Sequence, residues 1–302
     1  MKRTLALLLL LFFLPTLSLG ETVVTSFYPI WLLALNLTNG IEDIAVRNLA
    51  APTTGCLHDY QLQTGDMKVL SQADLFLING AGMESYLDAI FSAFPDLPVV
   101  AASDGVPLLY GLDALEIGEQ EEKDGEEANS HIWLSAANAA RMAENLAAAM
   151  ENRFPDHQDA IAANLADLTA RLTALDDTLR QGLSDLPSRE IITFHEAFPY
   201  FAHAYGLRVV AVVNREPGET LAPSQMGQLA DIIVSLGCPP LFVEPQYSDL
   251  SARILAEETG APVYILDPCV TGPEEDVPLN YYETVMLENM RVLRKALGAD
   301  ES

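Results

Sequence analysis

Short apolar runs alternate with segments of helical periodicity along the first third of the chain. The runs are rich in β-branched and aromatic residues, which predicts four buried strands. They are Val23–Phe27, Ile44–Leu49, Asp74–Asn79 and Val99–Ala102. Pro29–Leu37 predicts a helix after the first strand. Because strands that alternate with helices pair in parallel through right-handed crossovers, this part of the chain predicts an α/β lobe.

The middle of the chain predicts one long helix. From Asp156 onward, apolar residues recur at steps of three or four, which places them in a single stripe on a helix of about 27 residues and about 40 Å. The stripe consists of Ile161, Leu165, Leu168, Leu172, Leu175, Leu179 and Leu183. An alanine-rich helix precedes it, with Ser135 as a favourable N-cap residue and an end near Arg153. A single long helix here predicts a stiff connection between two halves.

The second half repeats the pattern of the first. Strands are predicted at Ile191–Phe194, Val209–Val213, Leu241–Val243 and Val263–Leu266, and a final helix at Tyr281–Leu297. The fold class is therefore α/β, with two similar lobes that each contain a mainly parallel sheet flanked by helices, joined by one rigid helix. The predicted divisions are an N-terminal lobe at 21–155, a linking helix at 156–184 and a C-terminal lobe at 185–302.

Residues 1–20 have the composition of a secretory signal peptide. Lys2 and Arg3 form a basic start, Leu5–Leu14 is apolar, and Ser18–Gly20 offers small residues for cleavage. A membrane anchor is the alternative, although the apolar run is short. No cysteine follows the run, so no lipid anchor is evident. We expect an exported protein, periplasmic or extracellular.

The charge balance limits the partners. The 302 residues include 43 acidic and 16 basic side chains, a formal net charge of −27. This argues against nucleic acid and anionic membrane surfaces and suits a protein that handles cations. Acidic residues are dense in Leu115–Ser130, which predicts a mobile, solvated loop, with a cation-collecting arm as the alternative. We expect a monomer.

Three of the five histidines follow predicted strands or lie in loops that face one cleft. His195 stops a strand, and a helix predicted to open at Glu196 would keep its imidazole neutral through the positive end of the helix dipole. His58, His131 and Asp267 are placed similarly, two groups from each half. Three imidazoles and one carboxylate suit zinc in a four-coordinate site.

Other side chains could surround this metal. Glu244 ends the predicted strand Leu241–Val243, and Tyr60 is a further candidate. Cys56 and Cys269 each lie two residues from a proposed ligand. They are either unrelated small residues, or they meet near the metal as a disulfide or as soft donor groups. His203, eight residues after His195, is either a surface residue or part of the metal surroundings.

Several segments together resemble a known family. They are VVTSFYPIW, GCLHDYQL, ADLFLINGAGME, HIWLS, FHEAFPYFAHAYGL, LFVEPQYS and LDP. In this order they are similar to the metal-binding solute receptors of ABC importers, the ZnuA/TroA-like family. The resemblance implies two α/β lobes bridged by one helix, metal ligands at His58, His131, His195 and Asp267, and delivery to a membrane permease. Manganese-specific relatives carry a carboxylate in place of His195, so the resemblance favours Zn²⁺ as the transported ligand.

The chain departs from the family pattern at three places, one of which is the lack of the lipid-anchor cysteine that many relatives carry. The loop before His131 carries acids where many zinc receptors carry histidines, and Cys56-Leu57 replaces the Asp/Glu-Pro of many relatives. We interpret the protein as a receptor and not an enzyme. The alternatives are a receptor for Mn²⁺ or Fe²⁺, a secreted zinc hydrolase with Glu196 or Glu244 as general base, and an adhesin that uses the acidic loop.

Overall fold

The chain forms two parallel sheets with helices packed around them, which confirms the predicted two-lobed α/β fold. The computed structural model describes residues 20–57, 60–111, 115–116, 128–213 and 223–299. In these ranges, none of the helices combines the length and the apolar character that crossing a bilayer requires.

The first sheet contains four parallel strands in the order β2-β1-β3-β4. The strands are β1 (Glu21–Thr25), β2 (Ile44–Asn48), β3 (Leu75–Ile78) and β4 (Val99–Ala101). The helices of this part are α1 (Tyr28–Leu37), α2 (Thr64–Leu70) and α3 (Leu87–Ala93). Every residue of β3 is apolar and buried, as expected for a parallel strand that is covered on both faces.

The second sheet contains five parallel strands in the order β5-β7-β6-β8-β9. The strands are β5 (Leu115–Glu116), β6 (Glu190–Thr193), β7 (Arg208–Val212), β8 (Leu241–Val243) and β9 (Val263–Ile265). The helices are α6 (Pro199–Tyr205), α7 (Pro223–Ser235), α8 (Leu250–Thr259) and α9 (Tyr281–Ala296). Apolar residues of α7 pack against one face of this sheet in a cluster of their own.

The strand β5 corrects part of the prediction for the acidic segment. Leu115 and Glu116 pair with Ala211 and Val212 at the edge of the second sheet, where the sequence predicts a solvated loop. Strand pairing uses only backbone groups, so an acidic composition does not prevent it. Residues 117–127 of the predicted loop lie outside the described residues. The segment assigned to the first lobe therefore reaches the sheet of the second.

One long helix connects the halves and directly follows the last helix of the first half. Ser135 accepts a hydrogen bond from the Asn138 N–H at 3.4 Å and caps α4 (Ala136–Arg153), as predicted. A 3₁₀ turn at Pro155–His157 leads into α5 (Gln158–Gly182). The apolar stripe of α5 is buried, except that Leu165 is half-buried. This helix packs on α1 and α4 from the first half and on α6 and α9 from the second, so one continuous core couples the two halves stiffly.

Arg171 of α5 joins helices from both halves. Its guanidinium group donates to Asn36 of α1 and to Glu283 of α9.

We expect Arg171→Ala to lower the free energy of unfolding of the metal-free protein by about 2 kcal/mol, because it leaves a largely buried carboxylate and an amide without their partner. Urea unfolding measures this. Arg253→Ala, which breaks the exposed pair with Asp249, is the control and should change stability by about 0.5 kcal/mol or less. Equal effects of the two substitutions would contradict the linking role of Arg171.

Candidate metal site between the two sheets

Polar segments from both halves meet where the strands end. On the first sheet, Nδ2 of Asn79, which follows β3, donates at 2.9 Å to the backbone carbonyl that precedes His131. On the second sheet, His195, Glu244 and Asp267 follow the neighbouring strands β6, β8 and β9. Because these strands are parallel, their carboxyl ends lie at one edge, which is where open α/β sheets bind ligands.

Three potential metal ligands converge at this edge: Cys56, His131 and His195. One ligand atom from each lies within 4.8 Å of the others. The Nε2 atoms of His131 and His195 are 3.1 Å apart, and the Cys56 Sγ lies 3.5 Å from the His131 Nε2. Both histidines are buried, and Cys56 is half-buried. The structure thus unites two of the four predicted ligands with a cysteine that the sequence placed only near the metal.

Asn129 sets the orientation of the His131 ring. Its Oδ1 accepts the His131 backbone N–H at 3.0 Å and lies 3.3 Å from Nδ1 of the same residue. Since this oxygen is an acceptor, the ring carries its proton on Nδ1 and directs the Nε2 lone pair toward the cluster. Asn129 also donates through Nδ2 to the Glu196 carbonyl at 2.9 Å, which ties the two histidine segments together. Sequence reasoning did not identify Asn129, and a polar residue two positions before a histidine is too common a pattern to do so.

His195 lies in a turn and not at the start of a helix. Strand β6 ends at Thr193, and α6 begins at Pro199, so the predicted helix from Glu196 is wrong and so is the role given to its dipole. Proline favours the first position of a helix, which explains this start. The His195 ring is buried and meets the His131 ring edge to face, with centroids 4.9 Å apart.

Glu244 is a buried carboxyl group beside this cluster. Gln246 donates to its Oε2 at 2.6 Å, whereas Oε1 has no hydrogen-bond partner in the part of the chain that the structure describes. Burial raises the pKa of Glu244 to about 8, the charge of Asp267 adds to the rise, and the Gln246 bond opposes it. Burial and the charge of Glu244 also raise the pKa of the Cys56 thiol. A divalent cation would offset these penalties on negative charge.

Asp267 lies at the predicted strand end. Its carboxylate is not part of the group formed by Cys56, His131 and His195, whose ligand atoms lie within 4.8 Å of one another. Its Oδ1 accepts the Cys269 N–H at 2.8 Å. Asn289 of α9 holds its backbone through two hydrogen bonds, of 2.9 Å to the N–H and 2.7 Å to the carbonyl. Burial raises the pKa of the carboxyl group, and the Cys269 N–H opposes the rise. Asp267 is thus held in place at the margin of the cluster.

Trp133 lies beneath the site and connects its two sides. The side chain is buried, and its Nε1–H donates to the Pro268 carbonyl at 2.7 Å. The Trp133 carbonyl accepts the Tyr282 hydroxyl at 2.6 Å. The indole ring packs edge to face on Phe27 and lies 5.3 Å from the His131 ring, centroid to centroid. One side chain therefore supports the histidine segment and the segment after β9 together.

Three predicted residues do not join the described cluster. His58 lies outside the described residues, so its role stays a prediction. The Tyr60 hydroxyl donates to Asp66 at 2.8 Å, at the start of α2, and its ring packs on Tyr86. His203 is exposed on α6, in agreement with the surface alternative.

The disulfide hypothesis for Cys56 and Cys269 is wrong, because the thiols of both residues are free. Cys269 is buried in the main core on a tight turn with φ of 60°, while Cys56 lies beside His131. Cys238 packs against the apolar cluster of the second sheet, with its Sγ 3.3 Å from the Thr259 carbonyl, and is not part of the metal-ligand cluster.

Two α/β halves on one stiff helix, with imidazole groups held between them, define a metal-binding solute-binding protein. The model of the family described as zinc-uptake complex component A, periplasmic (ZnuA), matches residues 23–296. The chain belongs to this family.

The relatives differ in the metal that their names state. The chain is 26% identical over 284 residues to the zinc-binding lipoprotein AdcA of Streptococcus pneumoniae serotype 4 (strain ATCC BAA-334 / TIGR4), covering 90% of this chain and 55% of AdcA. It is 30% identical over 241 residues to the iron-binding protein YfeA of Yersinia pestis, covering 79% of this chain and 74% of YfeA. A crystal structure of ZnuA matches 92% of this chain and 100% of its own, with a TM-score of 0.76 and 25% identity. The chain spans about half the length of AdcA, the first of the curated relatives it matches.

Proposed function

We propose that the protein captures Zn²⁺ outside the cytoplasm and delivers it to the membrane permease of an ABC-type importer. The observation that carries this proposal is the pair of buried Nε2 atoms of His131 and His195, 3.1 Å apart. Two nitrogen ligands of a tetrahedral zinc ion lie about 3.3 Å from each other, given Zn–N bonds of about 2.0–2.1 Å. Membership of the ZnuA family supports the same cargo.

His131 and His195 form the centre of the proposed site, and His58 and Asp267 are the further ligands. His58 is two residues from Cys56 in the sequence, and the Cys56 thiol contacts His131. Asp267 is held rigidly by Asn289 at the adjoining strand end. With these two ligands added, the ion would be four-coordinate, the preferred geometry of zinc.

The proposed receptor acts as a monomer and is not an enzyme. A site that surrounds zinc with four protein ligands leaves no position for the water that a hydrolase needs. Its proposed divisions are a signal peptide at 1–20, lobes at 21–155 and 185–302, and a linking helix at 156–184. Because one core runs through both halves, we expect metal release through the ligand loops and not through wide opening of the lobes.

Iron or manganese is the second candidate cargo. The observation that favours it is the similarity to YfeA, a protein named for iron binding. Such ions prefer oxygen-rich sites more than zinc does, whereas the described cluster offers two nitrogen atoms and one sulfur atom.

The test is competition between Zn²⁺ and Mn²⁺ for the metal-stripped mature chain, with His195→Ala beside the parent. We expect the parent to bind one Zn²⁺ tightly, and Mn²⁺ not to displace it. Removing a residue that only hydrogen-bonds to a metal ligand typically lowers metal affinity by roughly 10–100-fold, and we expect His195→Ala to lower zinc affinity by more than this. His203→Ala, which removes an exposed histidine from the following helix α6, is the matched control and should bind as the parent does. Preferential binding of manganese, or unaltered zinc binding by His195→Ala, would refute the proposed cargo or site.

A further inference from the structure

Two groups approach a single lone pair at the His131 Nε2. His195 Nε2 lies 3.1 Å from it and the Cys56 Sγ lies 3.5 Å from it. Because Asn129 Oδ1 accepts the proton on Nδ1 of His131, the Nε2 atom carries a lone pair and no proton. This single in-plane lone pair accepts one well-aligned hydrogen bond. Two such bonds cannot both be well made, whereas a cation between the three atoms would interact with all of them.

The distance from sulfur to nitrogen also fits shared coordination. With a Zn–S bond of about 2.3 Å and a Zn–N bond of about 2.0–2.1 Å, a tetrahedral ion separates the two ligand atoms by about 3.6 Å. The observed separation of Cys56 Sγ and His131 Nε2 is 3.5 Å. The third atom of the set, on His195, lies within 4.8 Å of the sulfur.

The loop that carries Cys56 is held against the second half. The Tyr247 hydroxyl group, from the segment after β8, lies against the backbone of this loop at Gly55. Gly55 permits this approach, because it has a φ of 83° and a Cβ there would lie 3.3 Å from the same hydroxyl oxygen. The thiol is therefore positioned by contacts from both halves, as a ligand of a site between them must be.

A second, independent observation points to a cation at this place. Glu244 is 4% exposed, and its Oε1 has no hydrogen-bond partner among the described residues. Glu244 follows β8, and β8 pairs with β6, the strand that leads to His195, so the carboxyl group lies at the same sheet edge as the cluster. A buried acceptor with no donor is unfavourable unless a positive charge compensates for it.

We propose that Cys56 is a direct metal ligand that takes the fourth position in place of Asp267, which lies outside the cluster, and that it gives this receptor a sulfur-containing site selective for thiophilic ions such as Zn²⁺ and Cd²⁺ over Mn²⁺. The inference rests on the proposed metal-receptor function and deepens it. On binding, the thiol proton leaves to solvent as the sulfur–metal bond forms, with no change of oxidation state. Soft thiolate ligands select zinc and cadmium, while manganese prefers oxygen donors.

The experiment uses Co²⁺ as a spectroscopic probe on the metal-stripped mature chain, under a phosphine reductant. A thiolate bound to Co²⁺ gives an intense near-ultraviolet charge-transfer absorption that nitrogen and oxygen ligands do not give. The variants are Cys56→Ser and, as the matched control, Cys238→Ser, whose thiol is not part of the metal-ligand cluster. We expect the absorption in the parent and in Cys238→Ser and its loss in Cys56→Ser. The preference for Zn²⁺ over Mn²⁺ should fall by at least about tenfold in Cys56→Ser only.

A second measurement on the unaltered chain guards against misfolding of the variant. Alkylation followed by mass mapping should show that Zn²⁺ protects Cys56, and that a chelator restores its reactivity. Co²⁺ bound by the parent without the absorption, together with equal alkylation of Cys56 with and without Zn²⁺, would overturn the role of Cys56 and leave the receptor proposal standing. Absence of Zn²⁺ and Co²⁺ binding by the parent would overturn both.

Discussion

Replacing His131 by alanine is expected to abolish tight zinc binding. Of the groups described at the site, the His131 Nε2 is the atom that the other two ligand atoms approach, at 3.1 and 3.5 Å. Its removal leaves Cys56 and His195 without the ligand between them, so the affinity should fall by well over the roughly 100-fold typical of outer partners. Isothermal titration of the metal-stripped protein measures this loss directly.

Stability measurements separate lost binding from lost folding. At a zinc concentration about 1,000 times the dissociation constant, binding should add about 4 kcal/mol to the free energy of unfolding of the parent. This increment should vanish in His131→Ala, whatever the stability of its metal-free form. A variant that folds and still gains stability from zinc as the parent does would show that His131 is not a ligand.

Asn129→Ala provides a graded comparison for the same site. The substitution removes the acceptor that keeps the His131 proton on Nδ1, but it leaves the imidazole in place. We expect a zinc affinity about 10–100-fold lower than that of the parent, between the parent and His131→Ala. An effect as large as that of His131→Ala would mean that Asn129 holds the whole segment and not only the ring.

Local pattern accounts for most of the fold. Runs such as the Leu75–Ile78 strand are apolar at every position, which only a strand covered on both faces requires, and the stripe along α5 has a single helical period. The edge strand β5 escaped prediction, because backbone pairing over only two residues leaves no periodic pattern in the sequence.

The site was predictable in outline and not in its distances. Strand ends identified His195, Glu244 and Asp267, since the carboxyl ends of parallel strands share an edge. Which of these groups come within bonding range of one ion depends on loop geometry that periodicity does not carry. Asp267 therefore lies outside the cluster, and Cys56, treated as a neighbour of a ligand, lies inside it.

The start of α6 shows how a local signal can be misinterpreted. The aromatic-rich segment after His195 suggested a helix from Glu196, yet Pro199 occupies the first helical turn. Pro29 marks the first turn of α1 in the same manner. Proline lacks the backbone N–H that a helix interior needs, so its position is a better indicator of a helix start than the composition that surrounds it.

Trp133→Ala is expected to be the most destabilising substitution considered. The side chain is 1% exposed and fills the core between Phe27 of the first half and the segment after β9 of the second. Loss of a buried tryptophan lowers the free energy of unfolding by about 3–5 kcal/mol, a large share of the roughly 5–15 kcal/mol that holds a domain together. Urea unfolding of the metal-free protein is the measurement.

Two phenylalanine variants divide this effect into packing and hydrogen bonding. Trp133→Phe keeps most of the ring volume but leaves the Pro268 carbonyl without its donor at 2.7 Å, so we expect a loss of about 1–3 kcal/mol. Trp31→Phe is the matched control, because the Trp31 Nε1–H is buried and has no hydrogen-bond partner among the described residues. Trp31→Phe removes this unpaired N–H donor and should change stability less than Trp133→Phe does.

Zinc affinity should fall in Trp133→Phe and not in Trp31→Phe, since of these two tryptophans only Trp133 packs on the His131 ring. Equal effects of both variants on stability and on zinc binding would mean that Trp133 fills space without positioning the site.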